Sequence, residues 1–180
     1  MLFSYNACIE KYGNDYQIKK ALSAGQIYKI EQGIYSDTPT VSEIERVSFK
    51  YPQTVFTMDS AFYYHGLSDV IPEKLHLATS KDAYKIGDDR VKQYFHRKDT
   101  FPVGVTSIPY RNSEIRVYDK ERMLIELIRN KKSLPFDYYK EVIESYRKAV
   151  HTMDIEKMQQ YICVFPNQRH ILEAVELEVM

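Results

Sequence analysis

Apolar positions in residues 15–35, DYQIKKALSAGQIYKIEQGIY, change their period midway. Ile18, Ala21 and Leu22 recur at i, i+3 and i+4, which predicts a short helix with one apolar stripe. Asn14 stands where an N-cap belongs, Asp15 puts a carboxylate in the first turn, and Gly25 follows as a stop. Beyond Gly25, Ile27, Tyr28 and Ile30, then Ile34 and Tyr35, are β-formers flanking Glu31, Gln32 and Gly33. That spacing predicts a small hairpin whose Gly33 takes the left-handed turn position. Upstream, Tyr5, Cys8, Ile9 and Tyr12 share a helical face behind a Ser4 cap, and Gly13 ends it. Two helices, a tight turn between them and a hairpin after them predict a winged helix-turn-helix over residues 1–37. A third helix is needed to complete so small a core. Residues 40–51 supply the candidate, with Thr40 and Glu43 as capping box and Ile44, Val47, Ser48 and Tyr51 on one side.

Residues 38–180 read as a larger α+β domain. Its first half holds short strand patterns at 54–58, 74–79, 91–96, 103–110 and 114–118, with a brief helix, SAFYYHGL, capped by Asp59. The expected sheet is mainly antiparallel. From Asp119 the pattern is helical throughout. Asp119 caps a helix carrying Met123, Leu124, Leu127 and Ile128. Pro135 and Asp137 open one with Tyr139, Val142, Ile143 and Tyr146 inward. Asp154 and Asn167 cap the last two, and Glu173, Glu176 and Glu178 form an outer acidic face on the final one.

Charge narrows the possible partners. The formal net charge is zero, which argues against a general polyanion binder, yet residues 1–36 and 81–148 are net positive while 37–80 and 149–180 are net negative. A nucleic-acid surface is therefore local. On the 15–25 helix the outward residues are Asn14, Tyr16, Gln17, Lys19, Lys20 and Ser23, and on the hairpin Lys29 and Gln32. These types reach phosphates and base edges of double-stranded DNA, and they equally suit a solvated face. Two cysteines, Cys8 and Cys163, lie far apart without a CxxC, so neither a metal site nor a disulfide framework follows. The longest apolar run, 161–165, is too short to span a bilayer, and no secretory signal pattern opens the chain. A cytoplasmic location without membrane partners is expected.

Catalytic patterns are sparse, and no enzyme activity or cofactor is expected. No phosphate-cradling glycine loop and no GxSxG occur. His65, His76, His96, His151 and His170 include no i, i+4 pair, so a zinc helix is unsupported. His65 with Asp59 is the one tempting catalytic pair, and packing or capping is the stronger reading of it. No acid is followed two positions later by lysine, the signature of a restriction-type nuclease, and Asp88-Asp89 falls in a loop after Gly87. Arg90, Lys92, Arg97 and Lys98, with Tyr94 and Phe95 between them, match a nucleic-acid-binding composition or a strand with solvated charges.

Three stretches carry a family resemblance. GQIYKIEQGIYSD resembles the wing of AbiEi-type antitoxins, the antitoxin half of type IV abortive-infection pairs. TMDSAFYYHGL, residues 57–67, is similar to the segment opening that family's second domain. RVYDKERMLIELIR, residues 116–129, is similar to its strand-to-helix junction with the pattern D-x-E-R. The resemblance implies an N-terminal winged helix-turn-helix that represses its own operon at inverted repeats. It also implies a C-terminal antitoxin domain that counteracts a nucleotidyltransferase-like toxin, directly or indirectly. Two alternatives stand beside it: a winged-helix transcription factor with a ligand-binding or dimerisation body, and an enzyme processing nucleic acid.

Overall fold

The structure, a computed structural model, describes residues 1–111 and 113–180. Among them are eight α-helices and two sheets, an α+β architecture. The chain divides into two compact units, Met1–Pro52 and Gln53–Met180. The first unit thus takes in the helix that the sequence reading placed at the start of the C-terminal domain.

The N-terminal unit runs β1 (Leu2–Ser4), α1 (Tyr5–Tyr12), α2 (Asp15–Ser23), β2 (Tyr28–Glu31), β3 (Ile34–Ser36) and α3 (Glu43–Lys50). Strand β1 was not expected. It pairs antiparallel with β3, giving the order β1-β3-β2. The Ser4 hydroxyl accepts the Ala7 N–H, and Asn14 Oδ1 accepts the Gln17 N–H at 3.0 Å, so both predicted caps form. Gly13, Gly25 and Gly33 all take positive φ, the conformation that closes each turn at least cost when no Cβ is present. Cys8, Ile18, Ala21, Ile27 and Tyr35 form the buried cluster, with Phe3, Ile9, Tyr12 and Leu22 packed on it. This core joins two helices to a three-stranded sheet, so the sheet supplies the layer that the sequence reading sought in a third helix. Helix α3 is capped by Ser42 and Glu45, not by Thr40 and Glu43. The Ser42 hydroxyl accepts the Glu45 N–H, and Glu45 Oε2 accepts the Ser42 N–H at 3.1 Å. Ion pairs of Arg46 and Lys50 with Glu31, each at 3.7 Å, tie α3 to β2.

The C-terminal unit opens with β4 (Val55–Phe56), α4 (Met58–Tyr64), β5 (Leu75–Ser80), β6 (Val91–His96), β7 (Val105–Tyr110) and β8 (Ser113–Tyr118). The sheet order is β6-β5-β4-β8-β7. The sheet is mixed: β4/β5 and β7/β8 are antiparallel, β4/β8 and β5/β6 parallel. The parallel β5/β6 pair is joined by residues 81–90 without a helix. Gln93 holds that crossover, accepting the Ile86 N–H at 2.8 Å and donating to Thr79 Oγ1 and the Tyr84 carbonyl. Helix α4 starts from Thr57 rather than Asp59, and Met58 carries a positive φ of 44°.

Four helices follow: α5 (Lys120–Arg129), α6 (Phe136–Ala149), α7 (Ile155–Ile162) and α8 (Gln168–Glu178). Helix α5 is buried from Glu121 through Ile128, polar residues included. Arg122 is wholly buried, with its guanidinium between the Tyr118 and Phe165 rings at 4.5 and 4.4 Å. It donates to Glu126 Oε1 (2.8 and 3.1 Å) and to the carbonyls of Thr100 (2.6 Å) and Val103 (3.2 Å). Gly104 lies against this side chain. A Cβ there would sit 2.5 Å from Arg122 Cβ, and its φ is +75°. Asp119 caps the helix through the Arg122 N–H at 2.9 Å. Glu121 accepts the Asp154 N–H (2.9 Å) and pairs with Lys157 (2.9 Å), which together outweigh burial and hold its carboxyl below the ordinary value. The D-x-E-R pattern therefore has a complete structural account: cap, inter-helix anchor and buried cation. Asn167 is left-handed and makes no side-chain cap on α8, contrary to the sequence expectation. Glu178 is drawn inward, accepting from Tyr139 (2.6 Å) and Lys131 (2.8 Å) rather than joining an outer acidic face.

Candidate nucleic-acid interface

The chemistry expected of the N-terminal unit rests on α2 and the hairpin after it. Helix α2 buries Ile18 and Ala21. At 100° per residue, Tyr16, Lys19, Lys20 and Ser23 then fall on the opposite face, and all four are exposed. Tyr16 keeps 72% of its surface accessible. Gln17 is exposed at the flank of this face, and Lys29 on β2 and Gln32 in the hairpin turn are also exposed. Among the described residues no salt bridge engages Lys19, Lys20 or Lys29. Asn14 and Ser23 are partly committed locally. Asn14 Oδ1 accepts the Gln17 N–H, and the Ser23 hydroxyl donates to the Lys19 carbonyl at 3.0 Å. Asn14 retains its amide N–H donors for a partner, and the Ser23 oxygen can still accept.

Two orienting contacts carry no pattern signal of their own. The Tyr5 hydroxyl donates to Asp15 Oδ1 at 2.7 Å, binding the start of α1 to the start of α2 and lifting the Tyr5 pKa. The N-terminal ammonium pairs with Asp37. Such pairs were invisible beforehand because their partners lie far apart in sequence and neither residue type requires a partner.

In the C-terminal unit the tempting pair dissolves. His65 caps α4 and its Nε2 bonds the Tyr118 carbonyl at 2.6 Å, while burial lowers its pKa. Asp59 instead lies 3.7 Å from His76 Nδ1. That nitrogen faces the Asp59 N–H and the Tyr94 hydroxyl, each at 3.3 Å. Burial, against the pull of Asp59, brings the His76 pKa down to about 4, so the ring is neutral at pH 7. Among the described residues no group of three His, Cys, Asp or Glu side chains is placed to hold a metal ion. Asp88 is spent on Arg90, accepting from its Nε at 2.9 Å and Nη2 at 2.7 Å. The other basic residues near β6 are also largely engaged. Arg97 pairs with Asp99 at 2.6 Å, Lys98 pairs with Asp82 at 2.5 Å, and Lys92 lies over the Tyr94 ring. This stretch is a charge-paired edge strand more than an open cationic track.

No α-helix among the described residues is long and apolar enough to cross a membrane. No protein-family model matches the chain, and no curated protein matches it.

Proposed function

We propose that the chain binds double-stranded DNA through a winged helix-turn-helix formed by its N-terminal unit, with α2 as recognition helix and the β2–β3 hairpin as wing. The observation that carries this reading is the α2 face of Tyr16, Lys19, Lys20 and Ser23: exposed, at helical spacing, opposite the core, with both ammonium groups outside any ion pair among the described residues. Lysines of this kind suit phosphates, and Gln17 and Ser23 suit base edges. The order β1-α1-α2-β2-β3, with β1 closing on β3, supports the same reading.

The three segments resembling AbiEi antitoxins support a narrower version. In it the chain represses its own operon at an inverted repeat and counteracts a nucleotidyltransferase-like toxin, and neither role requires catalysis by this chain. The test of DNA binding is fluorescence anisotropy of the full chain on DNA from upstream of its own operon, over a salt series. Lys19→Ala/Lys20→Ala should flatten the slope of log K against log salt by about two units, near 0.9 per lost phosphate contact. Gln17→Ala should cost about 1–3 kcal/mol and relax specificity. Operator affinity and salt slope unchanged in the double variant would remove α2 from the interface. Growth rescue on co-expression with the toxin tests the narrower version. Failure of the full chain to rescue would favour a plain winged-helix transcription factor with a ligand-binding or dimerising body.

A further inference from the structure

The C-terminal unit contains a groove of about 600 Å³ that none of the roles above uses. Strand β6, the end of α5 and the start of α8 line it. Its volume falls in the range of small-molecule sites. Its apolar lining includes Ile128, Ile171 and Ala174, with the half-exposed Phe95 ring beside them. Its polar lining is one-sided. Arg129, Lys131, Lys132 and His170 line it against two carboxylates, Glu126 and Glu178.

Those two carboxylates are already neutralised. Glu126 Oε1 takes both the buried Arg122 (2.8 Å) and Arg129 (2.9 Å), and Glu178 takes Lys131 (2.8 Å). Arg122, Arg129, Lys131 and Lys132 against these two carboxylates leave a net charge of +2, with histidine neutral. Lys132 and His170 are exposed and have no ion pair among the described residues. Two further features favour an anion. Helix α8 begins here with no side-chain cap and no acid in its first turn, so its own first turn leaves its positive end uncompensated. His96, in the groove wall, has a side chain nine-tenths buried. Its Nδ1 faces Arg122 Nη2 at 3.3 Å, and its Nε2 has no hydrogen-bond partner among the described residues. With Nδ1 facing a guanidinium donor, the ring proton sits on Nε2, a donor left over inside this wall.

We infer that this groove binds a phosphomonoester carried on a planar aromatic group, a ligand of nucleoside monophosphate size. The phosphate lies toward Lys132, His170 and the start of α8, and the planar group against Phe95 and the isoleucines. The inference concerns the C-terminal unit and is independent of DNA binding by the other.

The experiment titrates AMP into the isotope-labelled full chain, following isoleucine methyl signals by NMR. Parallel titrations use adenosine and inorganic phosphate. The expected result is shifts confined to Ile128 and Ile171, with a dissociation constant below about 1 mM. Adenosine and phosphate should each bind at least tenfold more weakly than AMP. Lys132→Glu/His170→Glu, both exposed positions, should weaken AMP at least tenfold while leaving the methyl spectrum of the unliganded protein and its operator affinity unchanged. Three results would overturn the inference: no shifts at millimolar AMP, shifts that map elsewhere, or AMP affinity unaltered in the double variant.

Discussion

Replacing Arg122 by methionine tests whether the D-x-E-R pattern is architecture or contact surface. The substitution keeps an unbranched, flexible stem, drops the guanidinium and so removes the charge at a position with no solvent exposure. Removing one partner of a buried ion pair costs about 3–5 kcal/mol, because the other charge stays buried. Two features adjust that figure here. Glu126 keeps Arg129 at 2.9 Å and Asn130 at 3.2 Å, which lowers the cost. The Thr100 and Val103 carbonyls lose their donor and two aromatic rings lose a cation, which raises it. The expected destabilisation is about 4 kcal/mol. With a urea m-value of about 2 kcal/mol per M, the midpoint should fall by roughly 2 M at constant m. Methyl NMR of Leu127 in a urea series assigns the transition to the C-terminal unit. Arg122→Met/Glu126→Leu should recover much of the loss, since no wholly buried charge then remains and Arg129, a third exposed, can turn to solvent. A midpoint shift below about 0.5 M for the single variant would refute the buried-pair account. Operator affinity of the folded single variant should match wild type, and a specific loss there would make the arginine a contact residue.

Two further outcomes follow from local geometry. His76 is neutral when folded, with a pKa brought down to about 4 against 6.5 unfolded. Below pH 6.5 the unfolded chain binds a proton that the folded chain refuses, so stability falls with pH across 6.5 to 4, by roughly 2–3 kcal/mol from this group. His76→Gln should flatten that part of a stability–pH curve from urea melts, and an unchanged slope would show that the ring charges freely in place. Ser42→Ala should cost about 1 kcal/mol through lost capping of α3, whereas Thr40→Ala should stay within about 0.5 kcal/mol in the same melts. Equal effects at the two positions would contradict the observed cap.

The chain by itself determined what depends on near neighbours. Caps at Ser4, Asn14, Asp119 and Asp154, the glycine turns at 13, 25 and 33, and the inward stripe of α6 all formed as their spacing predicts. Each is a contact within a few residues, so the sequence window contains both partners. The outward set on α2 was legible for the same reason, because exposure on a short helix is the complement of its apolar stripe. Strand β1 was not legible. Three residues carry no period, and they become a strand only because β3 offers an edge. The sheet's mixture of parallel and antiparallel pairs was equally hidden, since pairing partners are chosen by the packed layers and not by either strand alone. The cap of α3 moved from Thr40 to Ser42 because both fit the capping pattern, and only the folded backbone decides which hydroxyl meets a free N–H. His65 and Asp59 look paired in sequence, yet folding gave Asp59 to His76 from β5. The inner polar core of α5 was decided furthest from the sequence. Glu121, Arg122 and Glu126 look like a solvated face, and only the rings and carbonyls brought up by β8, residues 100–103 and 165 turn that face inward. A charge is buried only where several distant groups converge to satisfy it, and convergence is a property of the tertiary structure.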